Sequence, residues 1–225
     1  DPRMQTKIPV TVAVITLNEA SNLPRALGSV SGWVQDLVVV DSGSHDGTQD
    51  IALSFGARVF QNPWRGYGQQ KNFALKQAHC DWVLCLDADE EVSSELRDEL
   101  RALFDSPHGT ALAPQPPGYR IPRKTQYLGR WILHGGWYPN AQIRLAHRKH
   151  SAWTEPPVHE QWQLFSAESP GLLSAPILHY SFPTIESQIH TNLRFARLGT
   201  QALRERGQEA SLLKLLCKPL GKFLE

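Results

Sequence analysis

Cysteine is scarce in this chain. Its 225 residues hold only Cys80, Cys85 and Cys217, an odd number with no Cys-x-x-Cys pair, so neither a disulfide framework nor a thiolate zinc site is expected. A reducing, cytoplasmic setting follows. Long apolar runs are missing as well. No stretch approaches the roughly 18 unbroken apolar residues that spanning a bilayer requires, and no succession of basic, apolar and small residues marks a secretory leader. Glycine-rich phosphate loops are also lacking: neither Gly43 nor Gly66-Tyr67-Gly68 opens a Gly-x-Gly-x-x-Gly or a Gly-x-x-x-x-Gly-Lys-Ser/Thr run, which removes support from dinucleotide and P-loop readings. Asp1-Pro2-Arg3 ahead of Met4 reads as an appended leader, and the chain stops inside an amphipathic run. Both ends are therefore kept out of the fold reading.

What is present is ordinary for a globular chain: 41% apolar residues, 20% charged, 16 Gly and 16 Pro. Disorder, collagen and coiled coil are excluded, and a chain of this size buries enough surface to fold without staples. The net charge of +1 hides an asymmetry. Residues 1–110 carry 9 Lys/Arg against 15 Asp/Glu, and residues 111–225 carry 14 against 7. One part is suited to hold a cation and the other to meet phosphate groups or a lipid surface. Two ordinary solvated faces are the competing reading. No nucleic-acid partner is expected.

Val10 to Leu17 is β-branched and almost wholly apolar, as a strand buried on both faces of a parallel sheet should be. Leu37 to Val40, Arg58 to Phe60 and Trp82 to Leu86 read as further strands. Helices are expected over Ala20 to Val30, Asp46 to Phe55, Gln69 to Ala78 and onward from Ser93. This alternation predicts an α/β fold with a Rossmann-like, doubly wound, mostly parallel sheet in the first 105 residues. From Pro107 the chain turns to short strands among Pro, Gly and Trp, including an apolar strand from Leu172 to Leu178, and reads as an annex covering the site. Amphipathic helices are expected over Thr184 to Arg206 and Ser211 to Leu224. The resulting division is 1–105, 106–183 and 184–225.

Ligands of such sheets bind beyond the carboxyl ends of the strands. Three polar groups cluster there: Thr16-Leu17-Asn18-Glu19, Asp41-Ser42-Gly43-Ser44 and Asp87-Ala88-Asp89-Glu90-Glu91. Asp87 and Asp89, two apart at a strand end, can both point at one hard divalent cation, Mg²⁺ or Mn²⁺. The same acidic run also reads as the charged start of the following helix. Asp46 has the character of a helix cap, whereas Asp41 at the lip of the sheet can accept hydrogen bonds from a nucleobase or ribose, or simply close a turn. His147-Arg148-Lys149-His150 has helical metal spacing, but its cations favour a solvated basic turn. Trp131, Trp137 and Tyr138 either stack on sugars or pack the annex.

Taken together, Thr16-Leu17-Asn18-Glu19, Asp41-Ser42-Gly43-Ser44-His45-Asp46-Gly47-Thr48, Gln70-Lys71-Asn72 and Asp87-Ala88-Asp89 resemble, in order and spacing, the family 2 glycosyltransferases of the GT-A fold. Trp137-Tyr138-Pro139-Asn140, Arg144-Leu145 and Pro157-Val158-His159-Glu160 are similar to the lipopolysaccharide core β-glucosyltransferases within that family, which add glucose to an inner-core heptose. The resemblance runs over residues 8–205 and is strongest in the first 105. It implies that Thr16, Asn18, Glu19, Asp41 and Lys71 hold the uridine end of a UDP-hexose. It also places Asp87 near ribose or metal, Asp89 on a metal bridging the diphosphate, and His179 facing that diphosphate as a third metal ligand or a phosphate donor. An exposed helix lysine is the alternative for Lys71, and a core histidine for His179.

Inverting glycosyl transfer needs a general base outside the Asp-x-Asp pair. Glu155, Glu160, Glu168 and Glu186 are the later carboxylates to consider, and Glu160 alone lies in a family-like run, with His159 beside it as an orienting or structural residue. The implied acceptor is a lipid-linked oligosaccharide, the lipopolysaccharide core; a polyprenyl phosphate or a protein is the alternative. A nucleotidyltransferase or a non-catalytic nucleotide-sugar module are the readings from other classes. Near the end, Leu213, Leu215, Leu216, Leu220, Phe223 and Leu224 alternate with Lys214, Lys218 and Lys222 on one face. That pattern suits an anionic membrane surface, hence a peripheral place at the cytoplasmic face of the inner membrane, or packing on the domain or a second subunit.

Overall fold

The computed structural model describes residues 6–105, 116–156, 160–205, 207, 211 and 217. The first half alternates strand and helix: β1 (Ile8–Thr16), α1 (Leu23–Val30), β2 (Val34–Asp41), α2 (Thr48–Ser54), β3 (Arg58–Gln61), α3 (Tyr67–Gln77), β4 (Trp82–Asp87), β5 (Glu90–Val92) and α4 (Ser94–Asp105). The second half is mostly short strands: β6 (Gly118–Ile121), β7 (Arg123–Tyr127), β8 (Arg130–Ile132), β9 (Gln142–His147), β10 (Ser151–Trp153), β11 (Trp162–Leu164), β12 (Gly171–Leu172) and β13 (Ile177–Phe182), then α5 (Ile185–Glu205). The chain divides into two units, residues 1–185 and 186–225. Among the described residues, no helix is long and apolar enough to cross a membrane.

A seven-stranded sheet runs in the order β12-β6-β9-β4-β1-β2-β3, and every neighbouring pair is parallel except the two that involve β9. Strand alternation sorts the apolar residues into two layers. Val10, Val12 and Val14 of β1, Leu37 and Val39 of β2, and Leu84 and Leu86 of β4 pack with Leu23 and Leu27 of α1 and Leu96 and Leu100 of α4. Ala13, Val38, Val40, Val83 and Cys85 face the other way, onto Ala74 and Leu75 of α3 and the stacked Trp153 and Trp162 of β10 and β11. Both faces are covered, which is why these strands carry continuous apolar runs rather than alternation. A second sheet, β5-β13-β7-β8, stands beside the first.

Two expectations shift for identifiable reasons. The acidic run after β4 does not start a helix: it turns into β5, and α4 begins only at Ser94, its Leu96 N–H held by Ser93 Oγ at 3.1 Å. The expected strand from Leu172 to Leu178 is broken in two. Glu99 accepts from the backbone N–H groups of Ser174 and Ala175, and Pro176 has no N–H to give, so pairing resumes only at Ile177. The cationic face expected over 211–224 lies outside the described residues, apart from Ser211 and Cys217.

Candidate functional site

The loops that follow β1 and β2 are stitched together. Thr16 donates to the Asp41 carboxylate at 2.9 Å, Asn18 N–H to Ser44 Oγ at 2.8 Å, and His45 N–H to Asn18 Oδ1 at 3.0 Å. Asn18 takes φ 56°, a left-handed conformation that asparagine tolerates better than most residues. Glu19 N–H donates to Thr48 Oγ1, while Asp46 accepts from Ala20 N–H and Thr48 N–H, closing the entry to α2. Asp41 is fully buried, and besides Thr16 it accepts from Gly43 N–H, both the N–H and hydroxyl of Ser44, and Gln49 Nε2. Burial alone would raise this carboxyl; the Ser44, Thr16 and Gly43 hydrogen bonds outweigh it and hold the group below the usual carboxylate range. Asp41 thus organises the lip of the sheet from within.

Beyond the end of β4 lies a buried cluster of charges. Asp87 meets Lys71 Nζ at 3.2 Å through one oxygen and Arg144 Nη2 at 3.1 Å through the other. Lys71, from the middle of α3, also donates to Glu160 at 2.8 Å, and its ammonium stands 4.4 Å over the Trp153 ring. Its side chain is 9% exposed, so it is not a surface lysine. Arg144 of β9 donates at 2.7 Å to Glu90, which is fully buried and also accepts Asp87 N–H at 2.9 Å. Burial raises the Asp87 carboxyl, but the charges of Arg144 and Lys71 overcome this and hold it well below the ordinary range. For Glu90 burial wins, and its carboxyl is pushed up despite Arg144. Burial lowers and Asp87 raises the Lys71 ammonium; the net shift is upward, which keeps it charged.

Glycine lets α3 reach this position. A Cβ on Gly68 would sit 2.0 Å from the Thr154 carbonyl oxygen, so only glycine allows the first turn of α3 to press on the 151–156 segment. Asn72 then locks the contact, exchanging two hydrogen bonds with the backbone of Trp153 and donating a third to Glu155 at 3.0 Å. Glu160 and Lys71 meet because of that docking. Pro157, Val158 and His159 lie outside the described residues. Glu168 and Glu186 are exposed.

Asp89 points to a different partner. Its Oδ2 lies 3.3 Å from His179 Nε2, and the Nδ1 of that ring is 3.3 Å from Thr125 Oγ1. The Asp89 and Asp87 side chains are about equally exposed, 34% and 31%, and differ in their partners: an imidazole for one, two cations for the other. Among the described residues, no three His, Cys, Asp or Glu side chains gather as a complete metal cage. A half-buried carboxylate beside an imidazole does fit a hard cation that keeps positions for water and phosphate oxygens. The His147 and His150 rings lie 4.8 Å apart, tilted by 34°, and His147, Arg148 and Lys149 approach Asp81, so the His147–His150 stretch is a basic turn around one carboxylate. Trp131 packs edge-on against Tyr180 and Trp137 against Tyr127.

Reading the sequence left two members of the cluster without roles. Arg144 stands in a family-like run, and Glu90 reads equally as part of a helix start. Their signal was the direct succession of Glu90 on the Asp-x-Asp pair, which a strand turn, unlike a helix start, folds back under Asp87.

The model of the family described as glycosyl transferase family 2 matches residues 11–167. The chain belongs to glycosyl transferase family 2. An uncharacterized glycosyltransferase of Rickettsia felis is 46% identical over 97 residues, 43% of this chain and 34% of that protein, so the match spans about a third of the relative's length. The lipopolysaccharide core biosynthesis glycosyltransferase LpsC of Rhizobium meliloti is 26% identical over 98% of this chain and 81% of LpsC. Among solved structures, S. aureus TarS has a TM-score of 0.56 at 20% identity over 76% of this chain and 36% of TarS. Mannosyl-3-phosphoglycerate synthase of Rubrobacter xylanophilus has 0.51 at 17% identity over 91% of this chain and 77% of the synthase. The fold of this family 2 chain is GT-A, with the loops after β1, β2 and β4 at one rim of its sheet.

Proposed function

We propose that this family 2 glycosyltransferase is a metal-dependent, inverting hexosyltransferase that moves glucose from UDP-glucose to an inner-core heptose of lipopolysaccharide. The observation that carries the reading is the rim itself: a half-buried Asp89 beside His179, next to a half-buried Asp87 held by the buried cations Lys71 and Arg144, at the carboxyl ends of parallel strands. The LpsC relative, similar over nearly the whole chain, supports the acceptor. A solved complex of TarS residues 1–349 with UDP-GlcNAc, at TM-score 0.54, shares the fold and supports a UDP-sugar donor. The loops around Thr16, Asn18, Glu19 and Asp41 take the uridine end.

Asp89 and His179 would hold Mg²⁺ or Mn²⁺, which when bound neutralises the diphosphate as it leaves. Glu160 removes the proton of the acceptor hydroxyl. The hydroxyl oxygen then bonds to the anomeric carbon as the carbon–oxygen bond to UDP breaks, and UDP departs with the electron pair. Attack opposite the leaving group inverts the anomeric centre. Lys71 holds Glu160 and Asp87 close to one another. We place the protein peripherally at the cytoplasmic face of the inner membrane, with Lys214, Lys218 and Lys222 facing anionic lipid.

The test is a screen of UDP-, GDP- and dTDP-hexoses for metal-dependent binding and slow hydrolysis, followed by transfer to a heptose-containing core acceptor. Selective, metal-dependent use of UDP-glucose is expected. Preference for another nucleotide overturns the donor, and binding with no turnover on any acceptor reduces the chain to a nucleotide-sugar module.

A further inference from the structure

Glu90 is a fully buried carboxylate that the reaction above does not use. Burying a charge is costly unless it is paired and hydrogen-bonded, and Glu90 meets both conditions. Its Oε2 accepts Asp87 N–H at 2.9 Å, closing the turn that contains Ala88 and Asp89. Its Oε1 accepts Arg144 Nη2 at 2.7 Å, and Arg123 Nη1 stands 3.7 Å away. The same Arg144 nitrogen reaches Asp87 Oδ2, so Glu90 and Asp87 share one guanidinium nitrogen. In the second sheet Glu90 is the register partner of His179, and Tyr180 N–H holds the Asp89 carbonyl at 3.0 Å. Glu90 and the strand pair it belongs to therefore help fix where Asp89 and His179 stand, alongside Thr125 of β7, whose Oγ1 lies 3.3 Å from His179 Nδ1.

We propose that Glu90 is a positioning residue of the donor site: it clamps the Asp87–Glu90 turn to Arg144 and to β13, so that Asp89 is presented to His179 and the pair is preformed for a divalent cation and the diphosphate. This inference rests on the donor reading given above. It assigns the acidic residue after the Asp-x-Asp pair to geometry, not to ligation.

The experiment measures UDP affinity by titration calorimetry with Mn²⁺ and with a chelator, and takes the ratio as the metal enhancement. Glu90→Gln still offers an oxygen to Asp87 N–H but removes the charge that holds Arg144. It should lower the enhancement by about tenfold, the usual cost of losing a partner that orients a metal ligand; because the enhancement is a ratio, any change in metal-free UDP affinity cancels. His179→Ala should lower it too, and the double variant should lose no more than the larger single loss. Single losses that multiply in the double variant would overturn the proposal, because sites that act independently add in free energy. An enhancement left intact by Glu90→Gln would also overturn it. Should Glu90→Gln not fold, Arg144→Lys breaks the same clamp from the other side, and an unchanged enhancement there sinks the idea equally. A wild-type protein that binds UDP regardless of metal removes the donor reading itself, and the role of Glu90 falls with it.

Discussion

Lys71 and Glu160 stand 89 positions apart in the chain, yet the lysine ammonium donates to the glutamate carboxylate at 2.8 Å. The same ammonium is 3.2 Å from Asp87. One cation therefore bridges the donor rim and the carboxylate assigned to the acceptor, and the two halves of the chain share a charge balance as well as a sheet.

Glu160→Gln keeps shape and an acceptor oxygen for Lys71 but removes basicity. Turnover should fall by about 10² to 10⁴, the usual worth of a general base, while donor KM changes little. Steady-state kinetics with the core acceptor check this. Near-normal turnover moves the role to Glu155 or His159.

Asp89→Ala should abolish the metal dependence of UDP binding and leave the circular dichroism spectrum unchanged. The side chain is partly exposed and pairs with His179 alone among the contacts described. UDP binding with intact metal dependence would remove Asp89 from the cation site.

Asp41→Ala withdraws the acceptor that five donors share. The lip loop should loosen, weakening UDP and UDP-sugar alike by about 1–3 kcal/mol, the range for hydrogen bonds to a charged group. A loss confined to the sugar part, read by comparing UDP with UDP-glucose, would contradict a role at the nucleotide end.

Asp36 supplies a pH prediction away from the site. It accepts from Thr11 Oγ1, from both Nε and Nη2 of Arg58, and from His79 N–H. Burial raises its carboxyl, but the Arg58, His79 and Thr11 hydrogen bonds more than reverse this and leave it lowered. A folded-state value below the unfolded one, about 4, means that the stabilisation is complete above that pH and is lost as pH falls through the folded value. Urea unfolding from pH 7 to pH 2.5 should show that loss. Asp36→Asn should cost about 2 kcal/mol at pH 7 and flatten the acid limb.

Membrane docking is tested by co-sedimentation with liposomes. Binding should require anionic lipid, weaken with salt and fall when Lys214, Lys218 and Lys222 become Glu. Salt-insensitive binding points instead to packing on the domain or on a second copy.

The central sheet was legible because β1, β2 and β4 are covered on both faces, so their apolar runs have no other reading. The rim residues followed from the strand ends. Tertiary events were not legible: Arg144 finds Glu90 from 54 positions away, and Lys71, with the pattern of an ordinary helix residue, is buried only because Gly68 lets α3 press on Thr154. Local sequence also left the Asp87–Glu91 run poised between helix start and turn. Pairing of Glu90, Glu91 and Val92 with β13 decided for the turn.

β9 enters the central sheet against the direction of β4 and β6, its neighbours on either side. A strand that runs backwards brings its early residues to the end where its neighbours finish, and so Arg144 arrives beside Asp87. Exchange of modules between related enzymes is constrained as a result. A nucleotide half ending at Asp105 and grafted onto a foreign acceptor half would carry Asp87 and Glu90 without their arginine, and Lys71 without Glu160. Any workable chimera must import a guanidinium at that register and a carboxylate within reach of the lysine, so the breakpoint that keeps this site intact lies after β13 rather than between the halves.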